Sequence, residues 1–323
     1  MLVQLNSFSG ITSDYQYIYL SPHFDDVVYS CAGTIGSQVH RGQRPLVITV
    51  FAGIPSSRLK LSVFAVKFHT YMGFDQFASK ILKYRGVGRV AIQLREMLAS
   101  GQDAGAVIRA RRKEDARALT YLQADYLWLD YLEAIYRGSP AYYHRQSQLV
   151  GGEVNPADRW IEKQLALDLL TLHKRLPSAV WYAPLGIGRH LDHQIVTSAV
   201  DALIQVGANV KLYEDFPYVV REGALEHRLE ESAWRLVPEL VEVFETLHLR
   251  QTAAEMYSSQ TKMNFENVAK MYGSQIKKSL DSKEAMYKIM SDYTQSIHPE
   301  KTGHMERYWI PGKALRDKVN PVE

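Results

Sequence analysis

The sequence predicts an α/β protein: a Rossmann-like, doubly wound, mostly parallel sheet with a helical C-terminal extension. Three observations predict it. Short apolar strands alternate with helical patterns of about twelve residues or more over the first two thirds of the chain, as parallel strands joined by crossover helices require. Residues 45–51 (PLVITVF) are apolar almost throughout, which suits a strand buried on both faces. After Pro217 the alternation gives way to consecutive helical segments.

The elements follow in order. Residues 16–21 (QYIYLS) form an alternating β-branched and aromatic run, and 27–40 carry small and apolar residues at near-helical spacing before Arg41-Gly42. With the strand at 45–51 this opens the chain as a βαβ unit. A helix at 102–123, a strand at 126–130, a helix at 159–175, a strand at 179–183, a helix at 192–205 and a strand at 210–213 continue the alternation. Helical segments are expected at 225–234, 247–263, 265–280 and 283–293, with a short strand at 240–244. Residues 221–323 thus read as a mostly helical extension packed on the core, and 1–323 as one domain. Between 53 and 100 lies a basic and aromatic insertion, or lid. It reads as a solvated cover, or as a surface for anionic substrate parts. Near the end, Glu306-Arg307-Tyr308-Trp309 reads as packing.

Composition narrows the function. Of 323 residues, 46% are hydrophobic and 23% charged, enough apolar material for a large core and too much for global disorder. The 38 Lys and Arg against 35 Asp and Glu leave a net charge of +3, which excludes a nucleic-acid-wrapping surface. The first basic residue is Arg41 and no run nears the about 18 apolar residues of a membrane span, so a cytoplasmic chain without a transmembrane segment is expected. The single cysteine, Cys31, can build neither an internal disulfide nor a thiolate cage. Any metal must be held by imidazole and carboxylate.

Those groups cluster twice. Ser21-Pro22-His23-Phe24-Asp25-Asp26 joins the first strand to its helix, and Gly186-Ile187-Gly188-Arg189-His190-Leu191-Asp192-His193 follows the strand at 179–183. Both lie at carboxyl ends of strands, where open α/β sheets bind ligands. His23 and Asp26, three residues apart, can aim at one point, and imidazole and carboxylate both suit zinc. Spacing alone leaves open whether His190 or His193 ligates. Glu214 and Asp215 lie at another strand's carboxyl end, within reach of the same region. Asp25 or Asp26 would equally serve as a helix N-cap, and Arg111 with Glu114 as a surface ion pair. Gly186-x-Gly188 and Gly86-x-Gly88 lack the third glycine of a dinucleotide fingerprint, so no nucleotide is expected.

His23-Phe24-Asp25-Asp26 with Cys31-Ala32-Gly33-Thr34-Ile35, followed by His190-Leu191-Asp192-His193, resembles the PIG-L/LmbE-like family of zinc-dependent de-N-acetylases. Arg111-Arg112-Lys113-Glu114, the acidic strand end at Asp130 and Tyr257-Ser258-Ser259-Gln260 fit in order, so the resemblance spans roughly residues 16–263. It implies one zinc per chain held by His23, Asp26 and His193, with Asp25 as general base. His190 would stabilise the oxyanion or protonate the leaving amine, Asp192 would orient His190, and Arg111 would hold substrate. Phe24 stands where members usually have Pro, and Val27 where they have Glu. Gly188 stands where some carry a catalytic Tyr, so either His190 acts without a tyrosine partner or Arg189, as a substrate-binding group, replaces it electrostatically. The implied reaction removes an N-acyl group, acetyl first, from an amino sugar of a glycoconjugate or small glycoside, in a chain compatible with homo-oligomers. The rivals are a zinc amidase acting on a non-sugar amide or thiol conjugate, and a carbohydrate-binding protein with a degenerate metal site.

Overall fold

In the computed structural model, residues 3–74, 103–260, 282–300 and 303–315 are described. Their strands are β1 (Gln4–Leu5), β2 (Tyr17–Ser21), β3 (Pro45–Thr49), β4 (Asp125–Trp128), β5 (Val180–Pro184), β6 (Asn209–Tyr213), β7 (Trp234–Glu242) and β8 (Met305–Ala314). They join in one sheet in the order β1-β4-β3-β2-β5-β6-β8-β7. The first six pair in parallel, while β8 runs antiparallel to both β6 and β7. The helices are α1 (Asp26–His40), α2 (Val63–Tyr71), α3 (Ala104–Tyr121), α4 (Gln146–Leu149), α5 (Arg159–Arg175), α6 (Leu191–Gln205), α7 (Ala224–Glu231), α8 (Leu247–Glu255) and α9 (Ser282–Ser296). The doubly wound α/β class expected from the alternation is the one observed.

Central strands are apolar because both their faces are covered. Ile18, Tyr19 and Leu20 of β2 are fully buried. Tyr19 stacks on Tyr182 of neighbouring β5 at 4.3 Å between ring centroids. Helix α1 is buried nearly all round, which its small residues permit. A Cβ on Gly33 would lie 2.8 Å from Cβ of Val243, so only glycine admits the chain leading into α8 there.

The C-terminal part carries more strand than the helical pattern suggests. The helix expected at 225–234 ends at Glu231, and β7 then runs nine residues as the outer edge of the sheet. Pro238 lacks an N–H and argues against a central strand, but an edge tolerates it. Glu306-Arg307-Tyr308-Trp309 packs as expected, and does so as part of β8. The Glu306 carboxylate, 3% exposed, accepts from the backbone N–H of Gly33 and Thr34 at 3.0 and 2.9 Å. Of the basic insertion, α2 is described; residues 75–100, like the helix expected at 265–280, lie outside the described residues. Among the described residues no helix is long and apolar enough to cross a membrane.

Candidate metal centre and active site

Strand β2 lies between β3, which follows it in the chain, and β5, which returns on its other side. At such a reversal the loops leaving adjacent strands part, and a crevice opens at their carboxyl ends. Into it β2 delivers His23, Asp25 and Asp26, β5 delivers His190, Asp192 and His193 at the start of α6, and β6 delivers Asp215. Glu133 and Arg137 come from the segment after β4, and Arg111 from α3.

Three atoms converge. Asp26 Oδ2 lies 3.2 Å from His23 Nδ1 and 3.2 Å from His193 Nε2. Ligands bound tetrahedrally at about 2.0 Å stand about 3.3 Å apart, so this spacing suits a zinc-sized ion. Among the described residues, His193 Nε2 is buried with no hydrogen-bond partner. The far nitrogens of both imidazoles meet carboxylates: His23 Nε2 lies 2.9 Å from Asp192 Oδ2, and His193 Nδ1 lies 2.6 Å from Asp215 Oδ1. Such outer carboxylates fix the tautomer and aim the ring of metal-binding histidines.

The same field orders the protonation states. Burial opposes a charged His23, yet hydrogen bonds to Asp192 and Asp26 hold it well above the usual histidine range. Burial likewise opposes charge on His193, which Asp26 and Asp215 nevertheless raise to about 9. Asp26 is held well below the carboxylate range against its own burial, by His193 and His23. A pocket that attracts two protons in this way attracts a divalent cation by the same charges.

His190 stands apart from this pair, although its ligating atom also lies within 4.8 Å of those of His23 and His193. Burial, then the charge on His23, push it well below the usual range, so its ring is neutral. The backbone N–H of Asp192 donates to its Nδ1 at 3.2 Å. The ring proton therefore sits on Nε2, making that atom a donor. His190 and His193 thus have different partners, a contrast that spacing in the sequence does not show.

Asp25 makes no capping bond with its side chain. Its Oδ1 lies 3.7 Å from Arg111 Nη2. Burial and then Asp26 push its carboxyl up to about 6, while Arg111 and His23 hold it back. Arg111 is itself buried, paired with Glu133 and set over the Phe24 ring at 5.0 Å. Beneath it, Glu114 accepts from the Ser259 N–H at 3.0 Å and Asp115 from the Tyr257 hydroxyl at 2.7 Å.

The profile of PIG-L, GlcNAc-PI de-N-acetylase, matches residues 18–204. The 2'-N-acetylparomamine deacetylase of Niallia circulans is 30% identical over 208 residues, 62% of this chain and 67% of that protein. The chain belongs to the PIG-L family. Solved structures share its fold. A teicoplanin deacetylase in its zinc-inhibited form has a TM-score of 0.67 at 23% identity, covering 93% of this chain and 98% of its own. The A40926 pseudoaglycone deacetylase has a TM-score of 0.62 at 19% identity, covering 94% and 99%.

In this PIG-L chain the structure gathers His23, Asp25, Asp26, His190, Asp192 and His193, sets Arg111 against Asp25 and pairs Arg189 with acidic side chains. The Arg189 guanidinium reaches Glu231 at 2.8 Å and Glu153 at 3.7 Å. Arg111 braces Asp25 from below. The Asp192 backbone N–H donates to His190, and its carboxylate engages His23. Gly188 has φ +84°, and a Cβ there would lie 2.6 Å from the Tyr218 ring. Tyr218 in turn packs against His193 at 5.8 Å between centroids. No sequence motif singles out Glu133, Arg137 or Tyr218, because each reaches the crevice from a loop with no periodicity of its own. Asp215 had a signal, its place at a strand's carboxyl end.

Proposed function

We propose that this protein is a zinc-dependent N-deacetylase that removes an N-acyl group, acetyl first, from an amino sugar of a glycoconjugate or small glycoside. The observation that carries it is Asp26 Oδ2 lying 3.2 Å from both His23 Nδ1 and His193 Nε2, with Asp25 beside them, in a chain of this family. A relative named for an N-acetyl amino sugar, 2'-N-acetylparomamine, supports the substrate class.

His23, Asp26 and His193 would hold the metal, with Asp192 and Asp215 orienting the two imidazoles. Zinc held there would polarise the acyl oxygen and lower the pKa of water towards about 7. Asp25, raised towards neutrality, takes the proton of the attacking water, a task for which a base near the working pH is best suited. Arg111 and Glu133 fix the direction of that carboxylate. His190, neutral and protonated on Nε2, donates to the oxygen that becomes anionic as the amide carbon turns tetrahedral. The amine leaves once it is protonated, and the proton gathered by Asp25 is available for it. A structural metal in a binding protein needs no such spare carboxylate, which favours the enzyme over the binding-protein reading.

The test is purified full-length protein, stripped with a chelator and reloaded with zinc, on a panel of N-acetylglucosaminides with free acetate measured. Acetate release that disappears on stripping and returns with zinc is expected. Metal-independent release would overturn the mechanism, and activity confined to non-sugar amides would overturn the substrate class.

A further inference from the structure

Behind His23 runs a buried ionic chain assembled from four separate segments. His23 Nε2 lies 2.9 Å from Asp192 Oδ2, and Asp192 Oδ1 accepts from Arg137 Nη2. Arg137 Nε lies 3.1 Å from Asp158 Oδ2, which accepts from the Tyr143 hydroxyl at 2.8 Å. The side chains of Arg137, Asp158 and Asp192 are 5%, 3% and 0% exposed. The guanidinium is set against the Phe51 and Tyr143 rings at 5.2 and 5.4 Å.

Stability does not explain this arrangement. Desolvating such ions cancels most of their mutual attraction, and Arg137 Nη1 has no hydrogen-bond partner among the described residues. Geometry explains it better. The Asp192 carboxylate is pinned at both oxygens: Arg137 takes Oδ1, while the Ala134 N–H, at 3.0 Å, and His23 share Oδ2. A carboxylate that cannot rotate keeps His23 Nε2 turned to Asp192, so Nδ1, on the Asp26 side, is the ring nitrogen available to a metal.

We propose that Arg137 is a positioning residue of the metal centre: braced by Asp158 and two aromatic faces, it pins Asp192 and through it presents His23 Nδ1 to the metal. The proposal rests on the reading of His23 as a ligand.

The experiment measures the zinc dissociation constant of the full-length protein by competition with a chromophoric chelator, beside circular dichroism and thermal melting. Folded Arg137→Met should bind zinc roughly 10–100-fold more weakly, as other losses around metal ligands do. Arg137→Lys should recover part of the affinity. A purely structural residue would lower the melting temperature and leave the zinc affinity of the folded protein unchanged, and that result overturns the proposal. If Arg137→Met does not fold, Asp158→Asn carries the test: a smaller loss of affinity is expected, and none refutes the chain. Arg137→Lys and Asp192→Asn combined should lose less than the product of their separate losses, since one acts through the other; multiplicative losses count against it. His23→Ala separates the two readings. Wild-type zinc affinity in that variant removes the ligand assignment itself, whereas weak binding there with normal binding in Arg137→Met removes only the role of Arg137.

Discussion

Asp25 and Asp26 are chain neighbours with different partners, and their replacement should fail in different ways. Asp26 faces two imidazoles, and Asp25 faces Arg111. Asp25→Asn keeps shape and leaves every proposed ligand in place, so zinc should stay bound while turnover falls roughly 10²–10⁴-fold. Asp26→Asn removes an anionic ligand and should lower the zinc content itself. Zinc analysis beside initial rates for both variants decides; an Asp25→Asn protein with near-normal turnover would eliminate the base. Asp215→Asn probes the other imidazole. With Asp215 Oδ1 at 2.6 Å from His193 Nδ1, its loss should weaken zinc binding roughly 10–100-fold in a chelator competition. Unchanged affinity would show that His193 needs no outer carboxylate.

The C-terminal half of α3 is clamped by the segment that follows α8, and the clamp has a pH signature. Asp115 accepts from the Tyr257 hydroxyl at 2.7 Å and from Trp128 Nε1 at 2.6 Å. Burial pushes its carboxyl from an ordinary 3.8 to about 7, although those two hydrogen bonds hold it back. The folded chain therefore holds a proton there that the unfolded chain has released between about pH 4 and 7. The stability tied to that proton is fully present below about pH 4 and is lost as pH rises through about 7. Denaturant midpoints at pH 5 and pH 8 should fall more steeply for the wild type than for Asp115→Asn. The asparagine can accept from Trp128 and donate to the Tyr257 hydroxyl, so folding should survive. Equal slopes would place the proton elsewhere. Periodicity does reveal α1, α5 and α6, whose buried stripes recur at helical spacing. It misreads β7, because alternation on an exposed edge strand interrupted by Pro238 carries little signal.

On the scale of the whole molecule, the described residues after 221 add two strands, β7 and β8, to the sheet itself. Strand β8 pairs with β6 through Leu212 and Trp309, and the Glu306 carboxylate enters the backbone of α1. Thr246, just before α8, donates to the Gly33 carbonyl at 2.8 Å. We propose one folding unit. Urea unfolding followed by tryptophan fluorescence, which reports Trp181 in β5 and Trp309 in β8, should coincide with far-ultraviolet circular dichroism in a single transition. An earlier transition seen by one probe would divide the chain into two domains.

The sequence by itself determined the alternation of strand and helix, and with it the α/β class. It also determined that any metal meets imidazole and carboxylate, and that His23, Asp25, Asp26, His190, Asp192 and His193 leave the carboxyl ends of strands. These are local facts, carried by hydrophobic period, residue chemistry and position within an element. Only the tertiary structure decided that His190 Nδ1 meets the Asp192 backbone N–H while His193 Nδ1 meets the Asp215 carboxylate, since both partners come from folding. It also turned Arg189 outward to Glu231, set Arg111 beneath Asp25 and brought Arg137 to Asp192 across 55 residues of chain. Those partners are distant along the chain, and their meeting follows from the strand order. Hydrophobic periodicity reports which face of an element is buried, and is silent about which polar groups from other elements meet there.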